Sequence, residues 1–297
     1  MLRKDLKKPA HQPSGDGTST VDPEEVARFT RLADEWWKPD GAFKVVHAFN
    51  KARVDHLARR LPQLCGRDAL EHFPPKWTPV WCRKCDKQRT RALSSDSNRV
   101  ESALVPLPLA GLSVLDVGCG AGSVTEPISR LGADVLGIDA SERNIQVAQR
   151  HAALSSAPVR YRHALPEDLL PEGRRFDIVL SLEVVEHVAN VPNFLAAIGR
   201  LVAPGGLLVI GTLNRTPVSF LKAIVGAEYV LRWLPRGTHD WRRFVTPTEL
   251  DAQLSPVGFT VIEKCGVDLA PLSMQWRITR STNSTYLQFH RRQPNPT

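Results

Sequence analysis

From about Leu112 onward, apolar residues recur in two alternating registers, and that alternation predicts the architecture. Short apolar runs at 114–118, 134–138, 159–163, 176–181 and 207–212 read as strands, and segments near 122–131, 141–154 and 192–202 carry helical spacing. Pro204-Gly205-Gly206 reads as a stop signal between the last helix and its strand, and Gly258 to Glu263 as a late strand. Thr246-Pro247-Thr248-Glu249 is a capping box with proline at the first helical position. Strand and helix in such succession predict an α/β fold: a doubly wound, mostly parallel sheet with helices on both faces and right-handed crossovers.

Upstream the pattern changes. Residues 1–20 are basic at first and then rich in Pro, Gly, Ser and Thr, which reads as a disordered or weakly targeting tail without an apolar signal core. Residues 21–61 read as an N-terminal helical lid. Asp22 is a suitable N-cap, Pro23 sits at the first helical position, and Glu24 and Glu25 fill the first turn. Phe29, Leu32, Ala33, Trp36 and Trp37 follow at helical spacing, and a second helix over 48–61 places Asn50 and Arg53 on one face. Residues 62–98 are Pro-rich, basic and aperiodic, and read as an insertion. One C-x-x-C pair, Cys82 and Cys85, lies there with Cys65 and His72 upstream; a zinc knuckle commonly needs two such pairs, so a solvated loop is the expected reading. Residues 99–297 form the core.

Composition narrows the class only modestly. An apolar content of 42% over 297 residues suffices for one large core, and no run of eighteen apolar residues is present to span a membrane. Five cysteines without regular spacing argue against a disulfide framework and for a reducing compartment. The net charge of +8 suits an anionic partner, nucleic acid or an acidic membrane surface, and equally suits simple solubility.

The chemistry begins where the first strand ends. V-L-D-V-G-C-G-A-G, residues 114–122, is a strand feeding a glycine turn at the carboxyl edge of a parallel sheet, where nucleotide-like ligands bind. A dinucleotide fingerprint needs its third glycine at position 123, which is Ser123; the chain reads G-x-G-x-G instead, the pattern associated with S-adenosylmethionine. Gly118 and Gly120 let the ligand approach the backbone, and Asp139, ending the second strand, is placed to accept from both ribose hydroxyls.

After the strand at 176–181 comes Leu182-Glu183-Val184-Val185-Glu186-His187. On a turn of helix, Glu183, Glu186 and His187 are i, i+3 and i+4 and share a face. Two carboxylates and an imidazole suit magnesium, manganese or zinc; the plainer alternative is an acidic helix start closing over the cofactor. Methyl transfer from a sulfonium needs alignment and an oxygen anion. A divalent ion chelated by adjacent hydroxyls would supply that anion, as would Glu183 or His187 acting as general base. Residues 217–243 combine Phe220, Leu221, Ile224, Val225 and Trp233 with Lys222, Arg232, Arg236, Arg242 and Arg243, suiting a membrane interface, a greasy substrate tunnel, or a helix packed on the sheet.

Taken with L-E-V-V-E-H-V, the segments G-T-L-N-R at 211–215, V-G-A-E-Y at 225–229 and P-R-G-T-H-D at 235–240 resemble the ubiquinone-biosynthesis O-methyltransferases, over about 21–61 and 112–291. The resemblance implies a class I S-adenosylmethionine-dependent fold and methylation of catechol-type hydroxyls on polyprenylated rings, at two steps of ubiquinone synthesis. It implies cofactor contacts at Arg53, Gly118, Asp139 and Leu182, and magnesium at Glu183, Glu186 and His187. It further implies a protein peripheral to the membrane that holds its lipid substrate, in eukaryotes the matrix side of the mitochondrial inner membrane, within a biosynthetic complex. The basic stretch 62–98 departs from that family. A nucleic-acid methyltransferase would be expected to carry an N-P-P-Y-type motif where this chain has L-E-V-V-E-H, and a non-catalytic adaptor to have lost the glycines and acids retained here.

Overall fold

A computed structural model describes residues 19–38, 41, 43–67, 107–222, 240–270 and 273–294. The C-x-x-C pair, His72 and most of the 217–243 segment lie outside these residues.

Helix α1 (Pro23–Leu32) begins as its sequence demands: the Asp22 carboxylate accepts from the backbone N–H of Glu24 and Glu25, with Pro23 opening the helix. Trp36 and Trp37 follow a single 3₁₀ turn. Helix α2 (Lys44–Leu64) is longer than the expected 48–61 and runs through Pro62. Proline is tolerated there because it falls in the last turn, where the N–H of Cys65 still closes on Leu61 carbonyl. Residues 62–64, read in the sequence as the start of the basic stretch, are therefore the last turn of α2.

The core follows the predicted alternation: β1 (Ser113–Val117), α3 (Thr125–Ser129), β2 (Asp134–Asp139), α4 (Glu142–Ser155), β3 (Val159–His163), α5 (Pro166–Leu169), β4 (Phe176–Leu182), α6 (Val191–Leu201) and β5 (Val202–Leu213). After a three-residue turn, α7 (Pro217–Ser219), come α8 (Pro247–Leu254), β6 (Phe259–Ala270), β7 (Gln275–Thr279) and β8 (Thr285–Arg292). Among the described residues these make one sheet in the order β3-β2-β1-β4-β5-β8-β6-β7. Strands β1 to β5 are parallel, and β8 runs antiparallel between β5 and β6.

Adjacent strand residues divide between two buried faces. Val114, Ile178 and Leu180 pack with Leu57 and Leu61 of α2 on one face; Leu115, Val179 and Ile198 pack with Leu250 of α8 on the other. Further boundaries moved. Pro204-Gly205-Gly206 bulges out of β5, whose ladder jumps from Phe176↔Val202 to Ile178↔Leu207. Helix α3 is shorter than 122–131 because the glycine turn continues through Gly122, whose φ is +87°. The late strand extends well past Glu263, and β7 and β8 were not anticipated. The sheet changes winding direction between β1 and β4, which opens a crevice at their carboxyl ends.

Candidate active site

At the switch point, the turn after β1 closes on β2: the N–H groups of Gly118 and Cys119 both donate to Ile138 carbonyl, at 2.8 and 2.9 Å. Gly118 and Gly120 have φ of +72° and +54°. A Cβ on Gly118 would fall 2.4 Å from Val184, and one on Gly120 would fall 3.3 Å from the Trp36 ring. The glycines thus serve close packing by the lid and by the turn after β4, besides leaving room for a ligand.

Asp139 is held by three donors: Gly120 N–H at 2.9 Å, Ser141 N–H at 2.8 Å and Asn144 Nδ2 at 3.2 Å. Burial raises its carboxyl above the ordinary value despite these bonds. Asp116, for which the sequence suggested no role, is buried beneath the turn; burial pushes it up to about 7, against the hydrogen bond from Thr125 Oγ1 at 2.6 Å. Its signal was an acid in an otherwise apolar strand just before the glycines.

Helix α2 delivers Arg53 to the carboxyl end of β4. The guanidinium is 3% exposed, donates to Glu183 Oε1 at 2.9 Å and to Asn50, and lies 4.0 Å over the Phe49 ring. Asn50 in turn donates to Ser123 Oγ at 2.7 Å, tying α2 to the glycine turn.

The acidic triplet is not a helical face. Glu183 adopts φ +57°, its N–H donates to Gly211 carbonyl at 2.7 Å, and only Val185–His187 forms a 3₁₀ turn. The chain must reverse sharply out of β4, so the i, i+3, i+4 spacing loses its helical frame. Each member turns to a different element. Glu183 meets Arg53, Glu186 accepts from Thr212 Oγ1 at 2.8 Å, and His187 Nδ1 lies 2.9 Å from Glu25 of α1. Among the described residues these three do not form a group with ligand atoms within 4.8 Å of one another; His56, Glu263 and Cys265 do. The donor chemistry of Glu183, Glu186 and His187 nevertheless fits a hard divalent ion. Glu186 is buried with Oε1 lacking a hydrogen-bond partner, and burial with the Glu183 charge raises its carboxyl. Glu25, which the sequence suggested only as a first-turn acid, is held below the usual carboxylate range. Burial opposes this, but the His187 hydrogen bond and the neighbouring cations prevail.

Gly118, Gly120, Asp139, Leu182, Arg53, Glu183, His187 and Glu25 line one cavity of about 840 Å³, together with apolar Phe49, Met274 and Trp276, whereas Glu186 stands outside its lining. Half-exposed Lys222, paired with Asp268 at 2.7 Å, also borders it. Val218, Phe220 and Leu221 expose their apolar side chains nearby in sequence. No helix among the described residues is long and apolar enough to cross a membrane.

Residues 83–264 match a family model described as a methyltransferase domain. The chain is 43% identical to a ubiquinone biosynthesis O-methyltransferase of Cereibacter sphaeroides, covering 88% of this chain and 92% of that protein. Proteins of the same name from Azorhizobium caulinodans and Methylobacterium nodulans are each 43% identical, covering 90% of this chain and 92% and 94% of theirs. A solved magnesium protoporphyrin IX methyltransferase from Synechocystis PCC 6803, with bound SAH, is 20% identical at a TM-score of 0.46, over 70% of this chain and 94% of that one.

Proposed function

The chain belongs to the ubiquinone biosynthesis O-methyltransferases, a family of S-adenosylmethionine-dependent enzymes, and on that premise we propose that it methylates one hydroxyl of a catechol-type ring carrying a polyprenyl tail. The observation that carries the reading is a single cavity. Its wall brings the G-x-G-x-G turn and Asp139 together with Glu183, His187 and apolar Phe49, Met274 and Trp276. The two substrates in view are a polyprenyl dihydroxybenzoate and a demethylubiquinol.

In this reading the backbone at Gly118 and Gly120 lies along the cofactor, Asp139 receives the ribose hydroxyls, and Leu182 borders the bound cofactor. Arg53, a buried cation, suits the cofactor's carboxylate. The sulfonium leaves readily once nucleophile, methyl and sulfur are in line, so the protein's work is alignment and removal of the phenolic proton. Glu183 or His187 takes that proton, and Glu25 on Nδ1 fixes the orientation of the His187 ring. Magnesium at Glu183, Glu186 and His187 would supply a Lewis acid that lowers the pKa of the reacting hydroxyl; the donor set and the orphaned Glu186 Oε1 support that finer reading.

The lipid tail requires access to a membrane. Exposed Val218, Phe220 and Leu221 beside Lys222 support peripheral binding to an anionic surface, the cytoplasmic face of a bacterial inner membrane or the matrix face of a mitochondrial one. Association with other ubiquinone-biosynthesis proteins belongs to the same reading, and nucleic acid does not. Against a nucleic-acid methyltransferase stands the turn after β4, which carries two acids and no N-P-P-Y.

The test is methyl transfer from labelled S-adenosylmethionine to a short-chain polyprenyl dihydroxybenzoate and to the matching quinol. Turnover lost in EDTA and restored by Mg²⁺, but not by Zn²⁺, supports both substrate class and metal. Turnover indifferent to chelator removes the magnesium. No turnover despite cofactor binding overturns the substrate reading.

A further inference from the structure

Three residues beyond Arg53 on α2, His56 faces strand β6 rather than the cavity. There its Nε2 meets two side chains that are also common metal ligands, Glu263 and Cys265, and the three ligand atoms all lie within 4.8 Å of one another. Nε2 is 3.5 Å from Cys265 Sγ and 3.5 Å from Glu263 Oε1. The second distance is long for a charge-assisted hydrogen bond. Both distances match the edges of a tetrahedron around zinc, roughly 3.3–3.6 Å for Zn–N, Zn–O and Zn–S bonds of ordinary length.

The surroundings are ordered for such a role. Arg60 Nε and Nη2 bind the other Glu263 oxygen, Oε2, at 2.9 and 2.5 Å, which fixes the carboxylate and leaves Oε1 turned toward His56. His56 and Cys265 are 8% and 6% exposed, and the Phe289 ring stands edge-on to the imidazole. Burial and the Glu263 charge push the Cys265 thiol up to about 12, so it is no free nucleophile. None of the three has a part in the methyl-transfer chemistry.

We infer that His56, Glu263 and Cys265 form a site for one divalent cation of the zinc class, with its fourth position open to solvent. Imidazole and thiolate donors select zinc or a similar borderline ion over magnesium. Binding sends the Cys265 proton to solvent, and thiolate and carboxylate then balance the ion's two charges. Arg60 remains on Oε2, and its positive charge keeps the affinity below that of an all-cysteine site. The ion straps α2 to β6, and through α2 it steadies Asn50 and Arg53 at the cavity.

The experiment uses the full chain without an affinity tag, stripped with chelator and titrated with Co²⁺. Expected is one equivalent bound, with visible bands of a tetrahedral ion and a near-ultraviolet thiolate-to-cobalt band, both displaced by Zn²⁺. Cys265→Ser should abolish the thiolate band. His56→Gln should weaken binding by more than the ~10–100-fold typical of losing a second-layer partner. Cys82→Ser with Cys85→Ser should leave the spectrum intact. Absence of the thiolate band in the parent protein overturns the site, whatever the variants do. So does a band that survives Cys265→Ser or vanishes with Cys82 and Cys85. These spectra need no turnover, so they stand or fall separately from the methyl-transfer reading.

Discussion

A side chain at position 118 has no room. Its Cβ would fall 2.4 Å from Val184 Cγ2, and the backbone φ of +72° already disfavours anything but glycine. Val184 links Glu183 to the 3₁₀ turn, so displacing it moves Glu183 as well as the glycine turn proposed to hold the cofactor. Gly118→Ala is expected to cost ~1–3 kcal/mol of stability. It should also weaken S-adenosylmethionine by at least ~10-fold in calorimetry; unchanged affinity would separate the turn from the cofactor site. At Asp139 two duties coincide, since the carboxylate that would meet ribose also holds Gly120, Ser141 and Asn144. Asp139→Asn keeps one acceptor for that backbone and removes the charge. The expected outcome is a melting temperature within a few degrees of the parent with cofactor affinity down ~10-fold or more. Parental affinity in Asp139→Asn and in Asp139→Ala would dismiss the ribose assignment.

At the scale of elements, the N-terminal helices are a docked lid whose contacts span the site. Trp37 Nε1 donates to Ala121 carbonyl at 3.2 Å, and its ring lies flat on His151, 3.4 Å between centroids and 3° from parallel. Asp22 pairs with Arg243 at 2.9 Å, Thr30 meets Ser141 at 2.7 Å, and Glu25 reaches His187. Trp37→Ala removes a hydrogen bond and a stacked ring, worth roughly 1–3 kcal/mol of local docking. Limited proteolysis without cofactor should then cut within 19–38 several-fold faster, with KM for S-adenosylmethionine raised more than kcat is lowered. Unchanged cleavage would mean that other contacts hold the lid. The start of α1 was legible because Asp22, Pro23 and two acids are local signals; what it packs against was not, because Glu25–His187 joins residues 162 apart in sequence. The acidic triplet shows the same limit: its composition could be read, but its helical geometry failed once Glu183 took a positive φ imposed by β5 and the glycine turn. Arg53 could be placed on the right face of α2, whereas its partner Glu183 became apparent only in three dimensions.

For the whole molecule, the parallel half of the sheet was readable, while of the antiparallel half only the start of β6 was, for a physical reason that also bears on its response to acid. Strands β1, β2 and β4 are apolar runs buried on both faces, so periodicity announces them. Strand β8 is equally buried yet reads T-Y-L-Q-F-H-R-R, with Gln288 and His290 at 0% and 1% exposure. Its polar residues mask a central strand. His290 pays for that position: burial lowers its imidazole to about 4 from an ordinary value of 6.5, despite the nearby Asp251 carboxylate. Below pH 6.5 the unfolded chain takes up a proton that the folded protein refuses until about pH 4. The contribution of neutral His290 is therefore full above pH 6.5 and is lost as pH falls through 4. His47, also lowered to about 4 by burial, acts in the same direction at the lid. Between pH ~7.5 and ~5 each histidine removes about 2 kcal/mol of stability, while the buried carboxyls of Asp116 and Glu186, raised by burial, gain protons in the fold and act the other way, so the histidine share is read as a difference between parent and variant in denaturant unfolding. His290→Gln, whatever it costs at neutral pH, should lose about 2 kcal/mol less than the parent on going from pH ~7.5 to ~5. If the variant keeps the parental slope, the imidazole of β8 is already protonated in the folded sheet, and the Asp251 carboxylate, rather than burial, governs its charge.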